Sequence, residues 1–388
     1  MLIAASRIVP AAGGPAILAP GYLTCSGGLV TALGSGPPPG RPDLELADGV
    51  LLPGLVDLQV NGYFGIELSS ADADGWATLA GRLPETGVTA FLPTFITSPV
   101  DQMIADLRRV AEITPGLAES ARARVLGIHL EGPFIAKARC GAHNPAWIRD
   151  LDQAVVGALL RAGSGLVRVM TLAPELDGAA AAIRQLDTAG VLVSVGHSDA
   201  TAQQVSAAAS GGARMVTHLF NAQRPMHHRE PGVVGQALSD RRLTSGLIAD
   251  LHHVSGQVAA IAFAAAPGRI CLVTDAAACA GMPAGRYVLG SEAIDRPAGD
   301  TEPPVRADGT LAGSALRMDA AIANMVAAGV GLTQAVTAAT RIPADLIGRQ
   351  DLGRIAVGAA ADLTWLSDQL RAKATWIAGE LVHGAALG

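Results

Sequence analysis

The segments His129-Leu130-Glu131-Gly132-Pro133, Gly196-His197-Ser198 and Thr217-His218-Leu219-Phe220-Asn221 each stand where a short apolar run ends. A fourth run ends at Thr274-Asp275-Ala276. Two imidazoles and one carboxylate form a donor set for a divalent cation and leave coordination positions for water. Such an ion acidifies water and polarises a carbonyl. A further carboxylate beside it can take a proton and return it to a leaving group. The expectation is a metal on Glu131, His197 and His218, with Asp275 as acid/base. A single histidine after an apolar run is more often a hydrogen-bonded core or loop residue. It is the coincidence of four such positions that points to chemistry. His129, two residues before Glu131, faces the same side of its strand one layer deeper and reads as a supporting residue.

Eight apolar runs can position these groups: 55–61, 89–95, 125–131, 167–172, 191–197, 215–220, 244–249 and 270–275. Helical patterns lie between them, among them 101–113, 152–161, 178–189 and 201–210. Eight β–α units over about 300 residues predict an α/β fold, a (β/α)8 TIM-like barrel. In such a barrel Glu131, His197, His218 and Asp275 end strands three, five, six and eight and converge at one face. A doubly wound open sheet is the alternative, but it gathers chemistry at a switch point rather than at strand ends all round. The first fifty residues contain β-like runs at 2–9, 16–18, 28–32 and 44–46, with a turn-rich connector from Gly34 to Pro42. Strand-like runs return at 363–366, 374–377 and 380–382. We therefore expect residues 53–352 to form the barrel. Residues 1–52 and 353–388 should pair into a small discontinuous β-sandwich-like domain built from both termini. The stretch 294–305, rich in Pro and acids, reads as a surface hairpin or loop.

Composition narrows the function. Half of the 388 residues are apolar and the formal charge is −6, which offers no basic surface for nucleic acid. No apolar stretch reaches membrane-spanning length, and no basic-then-apolar leader opens the chain, so neither a membrane nor a secretory route is expected. Cys25, Cys140, Cys271 and Cys279 lie far apart without a CxxC pair, which suits reduced thiols and a cytoplasmic location.

Strand one is informative by what it lacks. Where many metal-dependent amidohydrolases carry His-x-His, this chain has Gln59-Val60-Asn61. Its only lysines are Lys137 and Lys373, so strand four has none to form a bridging carbamate. One metal ion per subunit is therefore expected, with Gln59 and Asn61 as water-holding or supporting residues. Zinc suits the donor set, and iron, manganese or cobalt would also fit.

The ordered motifs resemble the N-acetylglucosamine-6-phosphate deacetylase branch of the amidohydrolase superfamily. They are Pro53 to Gly62, His129 to Phe134, Gly141-Ala142-His143-Asn144-Pro145, Gly196-His197-Ser198, His218 to Ala222, Arg229-Glu230-Pro231-Gly232, Thr274-Asp275-Ala276 and Leu311-Ala312-Gly313-Ser314. The resemblance implies cleavage of an acetamide on a sugar phosphate. It implies metal ligands at Glu131, His197 and His218 and the acid/base at Asp275. It implies substrate contacts from Ala142, His143, Asn221, Ala222, Arg229, His253, Leu311, Ala312 and Gly313, with His252 the neighbour to which the His253 role could slip. It also implies a homodimer or homotetramer. Arg229 and convergent N–H groups suit a phosphate dianion. His227 and His228 read as solvated loop residues. A different N-acyl substrate is the nearest alternative, and a non-enzymatic scaffold barrel is the alternative of another class.

Overall fold

The computed structural model describes residues 1–13, 16–117, 122–299 and 302–384. Eight parallel strands form the barrel: Leu55–Val60, Val88–Ile96, Ile128–Glu131, Val167–Leu172, Leu192–Val195, Met215–Val216, Thr244–Ile248 and Ile270–Val273, here strands one to eight. Each pairs with the next, as in Glu131↔Ile96, Glu131↔Thr171, Val195↔Val216 and Leu247↔Leu272. The ring closes just past the end of strand eight, where Asp275 N donates to Gln59 O of strand one at 2.9 Å and Val60 bridges Ala276. These strands are nearly all buried because helices cover their outer face.

Four of the covering helices follow the sequence patterns closely: Val100–Leu117, Gln153–Ala162, Ala179–Thr188 and Ala202–Gly211. Local signals start them. Asp152 caps one by accepting from Ala154 N, and Thr201 forms a capping box with Gln204.

Strands five, six and eight stop earlier than their apolar runs predicted, at Val195, Val216 and Val273. The cause is local. His197, His218 and Asp275 have φ of +47°, +24° and +51°, and a residue in that region cannot continue a strand.

Both termini build a separate sheet body. One four-stranded sheet runs Leu29–Ser35, Gly21–Ser26, Leu2–Ala5, Leu44–Leu46, and the other runs Glu380–His383, Ala372–Ile377, Leu363–Leu366, Val50–Pro53. Ile3, Leu23 and Leu46 of the first share a core with Leu363, Trp365 and Trp376 of the second. Three sequence expectations change here. The strand Gly21–Ser26 was not anticipated, because only Leu23 and Cys25 mark its apolar face. The first strand stops at Ala5, and Ile8 and Leu18 meet only in an isolated bridge. Gly34 and Ser35, expected in the connector, complete a strand.

The stretch at 294–305 is more than a surface loop. Gly285–Leu289 pairs with Glu292–Arg296 in a hairpin, and Ile294 is fully buried. It packs with Ile96, Ala142, Leu289 and Ala312 against the barrel mouth. Residues 300 and 301 of this stretch lie outside the described residues.

Candidate metal centre and active site

Glu131 is the last residue of strand three, while His197, His218 and Asp275 each stand two residues past the end of their strands. The three left-handed backbones turn their side chains off the strand path and over the mouth. Non-glycine residues in that region store strain, and such strain concentrates at functional sites. All four side chains are buried.

Glu131 Oε1 lies 2.9 Å from His218 Nε2 and 3.2 Å from His197 Nε2, and the two nitrogens are 3.1 Å apart. His197 Nδ1 sits 2.9 Å from the Arg139 carbonyl, which can only accept, so Nδ1 carries the proton. Its Nε2 lone pair then faces a carboxylate oxygen. Two lone-pair atoms at that distance repel unless a proton or a metal ion lies between them. Ligands bonded at about 2.0–2.1 Å in a tetrahedral site stand about 3.3 Å apart, close to the observed triangle. Unmet polar groups collect here as well. Gln59 Oε1, Asn61 Oδ1 and His218 Nδ1 are buried without a hydrogen-bond partner. The donor set fits a divalent ion.

A second trio, Glu131, His143 and His197, also brings one ligand atom from each residue within 4.8 Å of the others. His143 is the weaker member. Its Nδ1 accepts from the Thr97 backbone N–H at 3.3 Å, so the neutral ring bears its proton on Nε2. Burial and the neighbouring imidazoles of His197 and His218 push its pKa down to about 3, which keeps the ring neutral. A protonated Nε2, 3.8 Å from Glu131 Oε2, is a donor rather than a ligand.

Burial raises the Glu131 pKa, but hydrogen bonds and charge from His197 and His218 outweigh it and hold the carboxyl well below its usual range. Asp275 behaves oppositely. Burial and the Glu131 charge push it up to about 6, against His218 and the Asn61 hydrogen bond. Gln59 Nε2 joins the two carboxylates, reaching Glu131 Oε1 at 3.2 Å and Asp275 Oδ1 at 3.1 Å.

One cavity of about 190 Å3 gathers Asn61, Glu131, Ala142, His143, His197, His218, Asn221, Ala222, His253, Asp275, Leu311 and Gly313. His253 lines it, with Nδ1 2.6 Å from Asp250 Oδ2, whereas His252 is exposed. Ala312 is fully buried behind the wall. His129 lies in the barrel interior, 2.8 Å from Thr171 Oγ1, and burial pushes its pKa down to about 4. Arg229 is exposed and does not line the cavity, and His227 stacks on His228 beside it.

Sequence reasoning missed several positioning groups. Asp57 accepts from Thr274 Oγ1 at 2.6 Å and so fixes the residue before Asp275. Thr97 orients His143, and Asp250 orients His253. Gly141, at φ +56°, approaches so closely that a Cβ there would meet His197 Cε1 at 3.3 Å. The glycine in Gly141-Ala142-His143 was the available signal for that approach.

The amidohydrolase family model matches residues 50–382. The N-acetylglucosamine-6-phosphate deacetylase of Danio rerio is 40% identical over 354 residues, 87% of this chain and 86% of that protein. The N-acetylgalactosamine-6-phosphate deacetylase of Escherichia coli O157:H7 is 38% identical over 338 residues, 86% of this chain and 87% of that protein. A solved structure of a mutant N-acetyl-D-glucosamine-6-phosphate deacetylase from Mycobacterium smegmatis, in complex with N-acetyl-D-glucosamine-6-phosphate, superposes with a TM-score of 0.92. It is 36% identical and covers 98% of this chain and 99% of that one. The matched span contains every strand of the barrel together with Glu131, His197, His218 and Asp275, and the chain belongs to the amidohydrolase family.

Proposed function

We propose that this protein hydrolyses N-acetyl-D-glucosamine 6-phosphate to D-glucosamine 6-phosphate and acetate, in amino-sugar catabolism and recycling. The observation that carries the reading is the convergence of Glu131, His197, His218 and Asp275 on one cavity, with Gln59 tied to both carboxylates. The relatives' names supply the substrate class.

Glu131, His197 and His218 would hold one divalent ion per subunit, with zinc preferred over iron, manganese or cobalt, and when bound the ion supplies an acidified water and a polarised acyl oxygen. Asp275 accepts the water's proton as the carbonyl carbon is attacked. It then protonates the amine as the tetrahedral intermediate collapses. Burial pushes the Asp275 carboxyl up while a neighbouring cation draws it down, a balance suited to both tasks near neutral pH. His143 donates from Nε2 into the cavity. His253, its Nδ1 fixed by Asp250, presents Nε2 to a sugar hydroxyl. Asn221, Ala222, Leu311 and Gly313 line the sugar's path, and Arg229, which lies outside this chain's own cavity, serves the phosphate from the subunit contact that the resemblance implies. A dianionic sugar phosphate does not cross a membrane unaided, so we assign the enzyme to the cytoplasm. We assign it the homodimeric or homotetrameric state that the resemblance implies.

The E. coli relative favours a second reading, the galactosamine epimer as substrate. One assay decides. Acetate release is measured from the glucosamine and galactosamine 6-phosphate forms and from unphosphorylated N-acetylglucosamine, with metal content determined on the same sample. Release from the glucosamine form at the highest kcat/KM supports the first reading. Equal turnover without phosphate overturns the phosphate assignment, and no turnover at full metal content supports a scaffold.

A further inference from the structure

Strand two ends at Ile96, in register with Glu131 of strand three, so the two side chains enter the same mouth. Ile96 lines the active-site cavity. It also lines a second cavity of about 650 Å3, more than three times the first at about 190 Å3. Phe95, Met103 and Trp147 supply apolar walls there, and Gln102 and Arg109 stand among its polar groups. The partition between the two is thin. It consists of Ile96 and the hairpin turn, whose Leu289 faces the active site and whose Gly290 faces the second cavity. Gly290 has φ +58°, and a Cβ on it would meet Ile96 Cγ1 at 3.0 Å and Cδ1 at 3.1 Å. The turn therefore backs directly onto the end of the Ile96 side chain.

The direction of a bound substrate follows from the ring. Strand two lies opposite strand six in a closed set of eight. Asn221 and Ala222, just past strand six, line the far side of the active-site cavity. A sugar phosphate held at that side and attacked beside Glu131 would turn the methyl of its acyl group towards the opposite wall, where Ile96 and Leu289 lie.

We propose that Ile96, backed by Gly290, restricts the acyl group to acetyl, and that the cavity behind it accepts the methylenes of a longer N-acyl chain once that side chain is shortened. The proposal rests on the deacetylase reading above. Burying two further methylenes corresponds to roughly a tenfold gain.

The test compares N-acetyl- and N-butyryl-glucosamine 6-phosphate as substrates of the wild type, Ile96→Val and Ile96→Ala. The butyryl-to-acetyl ratio of kcat/KM should rise at least tenfold in Ile96→Ala and by an intermediate factor in Ile96→Val. An unchanged ratio overturns the proposal, as does a wild type that takes both sugars equally. Binding gives a second readout that does not need turnover. On an Asp275→Asn background, adding Ile96→Ala should tighten the calorimetric Kd for the butyryl sugar at least tenfold, and no tightening overturns the proposal. A wild type that hydrolyses the acetyl sugar while the ratio stays fixed refutes the partition alone. A wild type inactive on both sugars refutes the deacetylase reading and the partition with it.

Discussion

Asn61 Nδ2 donates a 2.8 Å hydrogen bond to Asp275 Oδ1, so strand one steadies the carboxylate that strand eight presents. That bond favours the ionised form, while burial and the Glu131 charge favour the protonated one and leave the group at about 6. A general base must be deprotonated, so kcat/KM should be lost as pH falls through the Asp275 pKa, which a bound cation draws below the metal-free value of about 6. In Asn61→Ala the stabilising N–H is gone. The acid limb should move up by about half to one pH unit. A pH–rate profile whose acid limb stays in place would refute this coupling.

Asp275→Asn keeps the shape and the hydrogen-bonding reach but cannot take a proton. Turnover should fall by roughly a thousandfold or more, within the range of general acid–base contributions. Metal content should stay at the wild-type level, because Asp275 lies outside the Glu131–His197–His218 triangle. Elemental analysis beside the rate assay checks both. Near-normal turnover would remove Asp275 from the mechanism.

The two histidine trios make opposite forecasts. The proton on His143 Nε2 bars it from ligation, while His218 Nε2 points at Glu131 from 2.9 Å. His218→Ala should therefore lose most of its bound metal after gel filtration, and His143→Ala should keep it while losing substrate affinity. Metal loss in His143→Ala would exchange their roles.

The sequence exposed the groups that end apolar runs, and the barrel brings Glu131, His197, His218 and Asp275 together as the spacing implied. Gln59 and Asn61 stood out only as substitutes for missing histidines. Their bonds to Asp275 appear once strands one and eight close the ring. Asp57 carried no signal because its partner Thr274 is 217 residues away. Ile96 and Leu289 look like ordinary core residues in a chain that is half apolar. Only the fold puts them at a cavity wall. The left-handed backbones of His197, His218 and Asp275 were equally hidden, since such a conformation in a non-glycine residue is imposed by tertiary contacts.

The sheet body is fastened to the barrel through Asp362. This buried carboxylate pairs with Arg124, in the short strand beside strand two, and accepts from Ala378 N at 2.8 Å. Asp362→Ala leaves a half-buried guanidinium and a backbone N–H unmet. The expected loss is about 2 kcal/mol. Asp362→Asn keeps the acceptor for Ala378 and should lose less. Urea denaturation of the three proteins gives the order, and equal midpoints would show that the pair contributes nothing.

Glu67 supplies a pH dependence unconnected to catalysis. Its carboxyl is buried, with one oxygen 2.8 Å from Ser69 Oγ and the other without a partner. Burial pushes its pKa from 4.5 up to about 8, against the hydrogen bond from Ser69. The folded state thus holds this proton more tightly than the unfolded chain does. Between those two values the unfolded state has released the proton and the folded state has not. Stability must therefore fall as pH rises through that window and level off above about 8. Between about pH 5.5 and pH 8 the contribution is on the order of 3 kcal/mol, at about 1.4 kcal/mol per pH unit. Glu67→Gln keeps the side chain's size and its acceptor for Ser69 but does not titrate. Urea midpoints measured at about pH 5.5 and pH 8 should therefore drop further in the wild type than in Glu67→Gln. Equal drops would mean that Glu67 already ionises freely in the folded protein, with water reaching its unpartnered oxygen.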